Sequence, residues 1–225
     1  MTLSRRQFLA AAGATGVVGL AGCLGSSESM PDGPVTKAPI PASPGDYTYE
    51  TMGTGDEPTV TYVGNWKCPH CATFSTGYLR DIVTDYVEPG KLSLEFRAFT
   101  GFMGSDDVRA GRAGLAVWNV DPETYWTYHE YVMANQPSAS EEWATTDRLV
   151  EFAESAGVSK PDAVRQSIEA GEYQQEMQES RQYAREAGVE GTPYLVVDGQ
   201  PVAPIDGGGN GTDEAKRALE SVAGE

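Results

Sequence analysis

The stretch TVTYVGNWKCPHC at residues 59–71 decides the fold. Its first part, residues 59–65, is β-branched and apolar and predicts a buried strand. Residues 68–87 then carry apolar side chains at helical spacing, which predicts a helix. Two cysteines separated by two residues therefore lie where a strand ends and a helix begins.

That position favours redox chemistry. The first turn of a helix has unpaired backbone N–H groups and a partial positive charge, so a thiolate at Cys68 is stabilised and its pKa lowered. Cys71 lies one turn further on and is the natural resolving thiol. Pro69 suits the first helical position, which needs no N–H. We expect His70 to place a cation or N–H donor beside the Cys68 sulfur.

Other interpretations of the cysteine pair remain open. A structural disulfide over so short a loop gains little chain entropy, and an inactive site is a further alternative. Zinc needs four ligands, and residues 46–225 offer two Cys and two His, with His129 far along the chain. We therefore expect no metal and no cofactor.

The order of predicted elements surrounds this site with a small mixed sheet. A strand–helix–strand unit prefers a right-handed parallel crossover. The order is β-β-α-β, then helices, then β-β-α, which resembles the thioredoxin fold with a helical insertion at about residues 101–188. The predicted strands are 47–52, 59–65, 92–99, 194–197 and 201–203; the later helices are 107–120, 122–135, 145–156, 160–170 and 172–187, with a last one capped by Thr212.

Three motifs carry a more specific resemblance, which covers about residues 46–223. The sequence CPHC at residues 68–71 resembles the site of DsbA-like thiol–disulfide oxidoreductases, a branch of the thioredoxin superfamily. GVEGTPYLVVDG at 188–199 is similar to that family's cis-proline loop, and YWTYHE at 125–130 resembles its aromatic helix. The resemblance implies a redox disulfide Cys68–Cys71, a cis bond before Pro193 and a peptide-binding backbone at Thr192. An ordinary trans proline is the alternative.

The sequence departs from the family at one point. Family members often bury an acid beneath the resolving cysteine, but residues 59–66 carry none, so the proton acceptor for Cys71 is not identified. Lys67 adds a positive neighbour to Cys68 or is simply a solvated side chain. We expect His129, with Tyr125, Trp126 and Tyr128, to pack a helix rather than to do chemistry.

The first 45 residues predict export and anchoring. Residues 4–9, SRRQFL, resemble a twin-arginine signal, and the 16 uncharged residues 7–22 are fewer than the ~20 that span a bilayer. LAGC at 20–23 resembles a lipobox, so we expect residues 1–22 to be removed and Cys23 to carry a lipid. An uncleaved membrane anchor is the alternative. Residues 23–45, with five prolines, predict a disordered tether before a domain at 46–225.

Composition narrows the function. With 33 acidic and 16 basic residues the net charge is −17, which argues against nucleic-acid binding and against electrostatic adsorption to anionic lipid. The Lys-poor acidic composition resembles proteins of high-salt hosts; an ordinary acidic secreted protein is the alternative. Asn210-Gly211-Thr212 is a possible glycosylation site.

We therefore expect an exported, lipid-anchored protein disulfide oxidoreductase on the outer face of the cytoplasmic membrane. Its partners are substrate proteins with cysteines and a membrane protein that reoxidises it, as in the family. Two alternatives remain. One is a reductase or isomerase of the same fold, and the other is a lipoprotein that binds peptides without redox turnover.

Overall fold

A mixed five-stranded sheet forms the centre of the protein. The computed structural model describes residues 29–224. The strand order is β1-β3-β2-β4-β5, in which β2 and β3 are parallel and the other neighbours are antiparallel. The strands are β1 (Thr51–Met52), β2 (Thr59–Gly64), β3 (Ser93–Ala98), β4 (Tyr194–Val197) and β5 (Gln200–Val202). The predicted thioredoxin-type mixed sheet is confirmed.

Within residues 29–224, eight α-helices flank this sheet. Five of them, α3 to α7, lie between β3 and β4 in the chain, and α8 packs on β4 and β5. Thr212 caps α8 by accepting a hydrogen bond from the Ala215 N–H. The helices are α1 (Pro69–Thr76), α2 (Tyr78–Ile82), α3 (Asp107–Val120), α4 (Pro122–Asn135), α5 (Thr146–Ser155), α6 (Pro161–Ala170), α7 (Gln174–Glu186) and α8 (Asp213–Ala223).

The helix predicted over residues 68–87 is broken rather than continuous. It stops at Gly77, where a Cβ would meet the carbonyl oxygen of Thr73 at 2.8 Å. The chain restarts as α2 and finishes in a wider π-helical turn at Val83–Val87. The break leaves α1 as a short helix that contains Cys71 and is preceded directly by Cys68.

Residues 29–45 correct the prediction of a disordered tether. Val35 is fully buried in the main core, and the backbone oxygen of Thr36 accepts a hydrogen bond from Thr127 on α4. The backbone of Ser29 exchanges two hydrogen bonds with the side chain of Asn135, at 2.9 and 3.0 Å. The prediction rested on the high proline content of this segment and did not take account of its apolar side chains, of which Val35 is buried. We call residues 29–45 the strap; the predictions for residues 1–28 lie outside the described residues.

The strap's packing is testable by truncating its buried side chain. Val35→Ala removes two fully buried methyl groups and should lower the free energy of unfolding by about 2 kcal/mol, measured by urea denaturation. Met30→Ala is the matched control, because Met30 lies in the same segment and is 54% exposed. A loss at Val35 no larger than at Met30 would show that the strap does not hold to the domain in solution.

Candidate active site

The turn after β2 places Cys68 at the start of α1. The Cys68 N–H donates to the Asn65 oxygen at 3.0 Å, which closes that turn. Cys68 is the N-cap residue and Pro69 the first helical residue, as predicted. The unpaired N–H groups of the first turn therefore surround the Cys68 sulfur.

Hydrogen bonds stabilise the thiolate of Cys68. The Cys71 thiol contributes most, followed by the side chain of Thr192 and the backbone N–H groups of Cys71 and His70; together they outweigh burial and lower the pKa of Cys68 to about 5. Cys68 is therefore largely ionised at neutral pH and is a good leaving group in disulfide exchange.

Cys71 has the opposite character. It is fully buried, and burial together with the neighbouring Cys68 raises the pKa of Cys71 well above its usual value. Its sulfur accepts a hydrogen bond from the Asn65 N–H at 3.4 Å. The two sulfurs are unbonded here, so this geometry is that of the dithiol form. An ionised outer thiol beside a protonated inner one is the arrangement that dithiol exchange requires.

The loop before β4 lies against the cysteine pair. The Thr192–Pro193 peptide bond is cis, as the resemblance implied. The Thr192 carbonyl oxygen lies 3.4 Å from the Cys68 sulfur. The Thr192 hydroxyl makes no hydrogen bond with any described residue, and the Thr192 side chain lowers the pKa of both cysteines. Thr192 and Pro193 are thus brought to the predicted site.

His70 reaches the site only in part. Its side chain is exposed, and the group that acts on the Cys68 sulfur is its backbone N–H. The role predicted for the imidazole ring stays a prediction.

Lys67 is neither a solvated side chain nor a neighbour aimed at the Cys68 sulfur. Its side chain is 1% exposed, and its ammonium group pairs with the Asp106 carboxylate and donates to the Glu141 oxygen at 2.8 Å. Asp106 also accepts from the Ala144 N–H. The ion pair joins the residue before Cys68 to two segments of the helical insertion, and the sequence could not show a contact across that distance.

The aromatic residues of α4 are core residues, as predicted. Tyr125, Trp126 and Tyr128 are at most 2% exposed, and His129 is fully buried. The His129 ring lies 5.2 Å, between ring centroids, from both Trp66 and Phe96. The aromatic residues of this cluster belong to the same hydrophobic core as both cysteines.

Asn65 is a site residue that the sequence analysis missed. Its backbone N–H binds the Cys71 sulfur, and its side chain binds the Phe99 oxygen at 2.8 Å and the Asp107 carboxylate at 3.2 Å. A fully buried amide at the end of an apolar strand was the available signal, because such a group needs several partners.

Asn210 lies at an exposed position in the loop between β5 and α8. Its amide nitrogen contacts the Asp206 carboxylate at 3.3 Å. Its glycosylation stays a prediction.

Comparison with known proteins identifies the class. The family model described as Thioredoxin matches residues 50–219, so the chain belongs to the thioredoxin family. With this fold and a dithiol at a helix start, the protein is a thiol–disulfide oxidoreductase.

Its relatives and structural neighbours are disulfide bond formation and DsbA proteins. It is 26% identical over 148 residues to disulfide bond formation protein D of Bacillus subtilis strain 168, covering 65% of this chain and 66% of that one. The oxidised crystal structure of BdbD from B. subtilis matches with a TM-score of 0.69 at 24% identity, over 84% of this chain and 98% of that one. Chlamydia trachomatis DsbA matches with a TM-score of 0.65 at 22% identity, over 77% and 90%.

Among residues 29–224, no helix combines the length and the apolar character that crossing a bilayer requires.

The pKa of Cys68 should depend on its partner thiol. In the dithiol protein, alkylation of Cys68 should rise with pH through a midpoint near 5. Cys71→Ala removes the largest stabilising hydrogen bond, so the midpoint should rise by about 1–2 pH units, measured from iodoacetamide rates. Thr73→Ala, an exposed change on the same helix, is the control. An unchanged midpoint in Cys71→Ala would assign the stabilisation to the backbone N–H groups instead.

Proposed function

We propose that this protein is an exported, lipid-anchored enzyme that oxidises the thiols of substrate proteins to disulfides. The observation that carries the proposal is the pair of opposite environments around Cys68 and Cys71. A stabilised Cys68 thiolate favours the dithiol form of the enzyme over its disulfide. A disulfide that is easily reduced is a good oxidant of other thiols.

The direction follows from linkage between the pKa and the redox potential. One pKa unit corresponds to about 1.36 kcal/mol, and about 30 mV of potential corresponds to 1.4 kcal/mol for a two-electron couple. Each unit by which the pKa of Cys68 falls therefore raises the potential by about 30 mV. A Cys68 pKa of about 5 thus favours the oxidising end of the family's range.

In the proposed reaction the enzyme begins with Cys68 and Cys71 bonded. A substrate thiolate attacks the Cys68 sulfur, the Cys68–Cys71 bond breaks, and Cys71 leaves with the electron pair. A second substrate thiolate then attacks the first substrate sulfur and releases the Cys68 thiolate. The substrate is oxidised to a disulfide and the enzyme is reduced, so a membrane redox partner must reoxidise it.

A groove beside α1 supports a polypeptide substrate. It has a volume of about 630 Å³. The Thr192 carbonyl oxygen, 3.4 Å from the Cys68 sulfur, is a hydrogen-bond acceptor for the backbone of such a substrate. The residues that line the groove are Pro69, Ala72, Met133, Ala134, Gln136, Pro137, Ser138, Ala139 and Ser140.

The sequence of residues 1–23 supports an extracytoplasmic location. Arg5 and Arg6 with the apolar run after them direct export, and Cys23 accepts the lipid. A lipid anchor binds by burying CH₂ groups, so the protein's negative charge does not prevent attachment.

The reduction potential tests the proposed direction. Equilibration of Cys68 and Cys71 against glutathione in molar salt should give a value clearly above about −270 mV, toward the oxidising limit of about −120 mV for related enzymes. Cys68→Ser is the control and should show no couple. A potential near −270 mV would make the protein a reductase, and the absence of a reversible couple in the unsubstituted chain would favour a non-redox peptide-binding protein.

Anchoring is tested separately by Cys23→Ser. The unsubstituted protein should sediment with membranes and incorporate labelled lipid, whereas the variant should do neither. Both should retain the same Cys68–Cys71 couple, since Cys23 takes no part in exchange. A variant that still sediments with membranes in high salt, uncleaved, would show that residues 1–22 remain as the anchor.

A further inference from the structure

Tyr62 is a buried tyrosine directly behind the cysteine pair. It lies on β2 and is fully buried, and its hydroxyl makes no hydrogen bond with any described residue. A buried hydroxyl without a partner costs free energy, so such groups are rare unless they serve another state of the protein.

The packing places the phenol close to the end of β2 that contacts Cys71. The ring tip reaches past Gly64: a Cβ built there would lie 2.9 Å from Tyr62 Cζ, so the close approach requires glycine. The next residue, Asn65, donates its N–H to the Cys71 sulfur at 3.4 Å. On the other side, the Phe74 ring, one turn after Cys71 on α1, lies 4.9 Å from the Tyr62 ring.

Other acceptors near the phenol are already occupied or face elsewhere. The Ser75 hydroxyl donates to the Glu130 carboxylate, and Nδ1 of His129 faces Ser75 at 3.4 Å. Nε2 of His129 makes no hydrogen bond with any described residue, and Oε2 of Glu130 lies 3.5 Å from the Arg80 guanidinium. Of the groups that influence the phenol, the two cysteines change charge during exchange, and Cys71 has the larger influence of the two.

The Tyr62 hydroxyl keeps its proton. Burial and the adjacent Cys71 raise the pKa of Tyr62 well above its usual value. In the dithiol form Cys71 is a neutral thiol and a weak acceptor. When the Cys68–Cys71 bond breaks, Cys71 carries a full negative charge in a buried site, and a neutral O–H beside it becomes a strong donor.

We propose that the Tyr62 hydroxyl is a catalytic hydrogen-bond donor to the Cys71 thiolate, a role that rests on the proposed dithiol exchange. During substrate oxidation the electron pair of the broken S–S bond goes to Cys71, and Tyr62 stabilises it. Cys71 then takes a proton from water, which balances the proton that the attacking substrate thiol lost to water. In the reverse direction the same hydrogen bond helps Cys71 to ionise before it attacks.

An exchange reaction with two kinetic phases measures the reactivity of each cysteine separately. Ellman's reagent forms a mixed disulfide with Cys68 of the dithiol protein and releases one thionitrobenzoate. Attack by Cys71 on the Cys68 sulfur then closes the disulfide and releases a second. Tyr62→Phe should leave the first phase unchanged, slow the second about 10-fold at pH 7 and move its pH midpoint upward.

Tyr128→Phe is the matched control. Tyr128 is equally buried and its hydroxyl is also unpartnered, but neither cysteine influences its pKa. Both variants lose one unpaired buried hydroxyl and no carbon, so both should fold with a melting temperature at or above that of the unsubstituted protein. The titratable groups that face or influence Tyr62, and whose ionisation enters the pH profile, are Cys68 and Cys71 on α1 and Tyr125, His129 and Glu130 on α4.

The outcomes are distinct. A second phase in Tyr62→Phe with the rate and midpoint of Tyr128→Phe overturns the role of Tyr62 and leaves the proposed function standing. If the unsubstituted protein shows no second phase, both the function and the role of Tyr62 are overturned.

Discussion

The stabilisation of the Cys68 thiolate is the constraint on which the site depends. It exists because β2 ends at Gly64, the chain turns once, and α1 begins directly after Cys68, so that the N–H groups of its first turn act on the sulfur. The parallel pairing of β2 with β3 and the antiparallel pairing of β2 with β4 fix that turn in place. The pairing of β2 with β4 also places Thr192 beside the Cys68 sulfur. The strand order of the sheet therefore determines which groups surround Cys68.

The asymmetry between the two cysteines follows from one helical turn. Cys68 lies at the helix start, where donors are unpaired, whereas the side chain of Cys71 is directed into the core. The sulfurs are chemically identical, but one is stabilised as an anion and the other as a neutral thiol. Because the inner sulfur must carry charge briefly during exchange, groups on β2 and α4 that never meet substrate still bear on the reaction.

Short sequence motifs predicted the site at the cysteine pair, the helix that starts at Pro69 and the loop at Pro193, because each of these features depends on a few neighbouring residues. Contacts between distant residues could not be predicted in this way. Lys67 is buried because Asp106, 39 residues later, pairs with it. Val35 is buried because α4 lies beside it, although its own segment reads as a flexible linker. Tyr62 looked like any apolar strand residue until the fold placed Cys71 against it.

Together with the lipid proposed at Cys23, the strap would limit where the enzyme can work. Ser29 is held at Asn135, the last residue of α4, and the next residue, Gln136, binds the Trp66 oxygen two positions before Cys68. With the lipid proposed at Cys23, the six residues to Ser29 span at most about 20 Å. A connection of this length would keep the Cys68 sulfur close to the bilayer surface. Chains emerging from the membrane then meet it at high effective concentration, while proteins that have diffused away are out of reach.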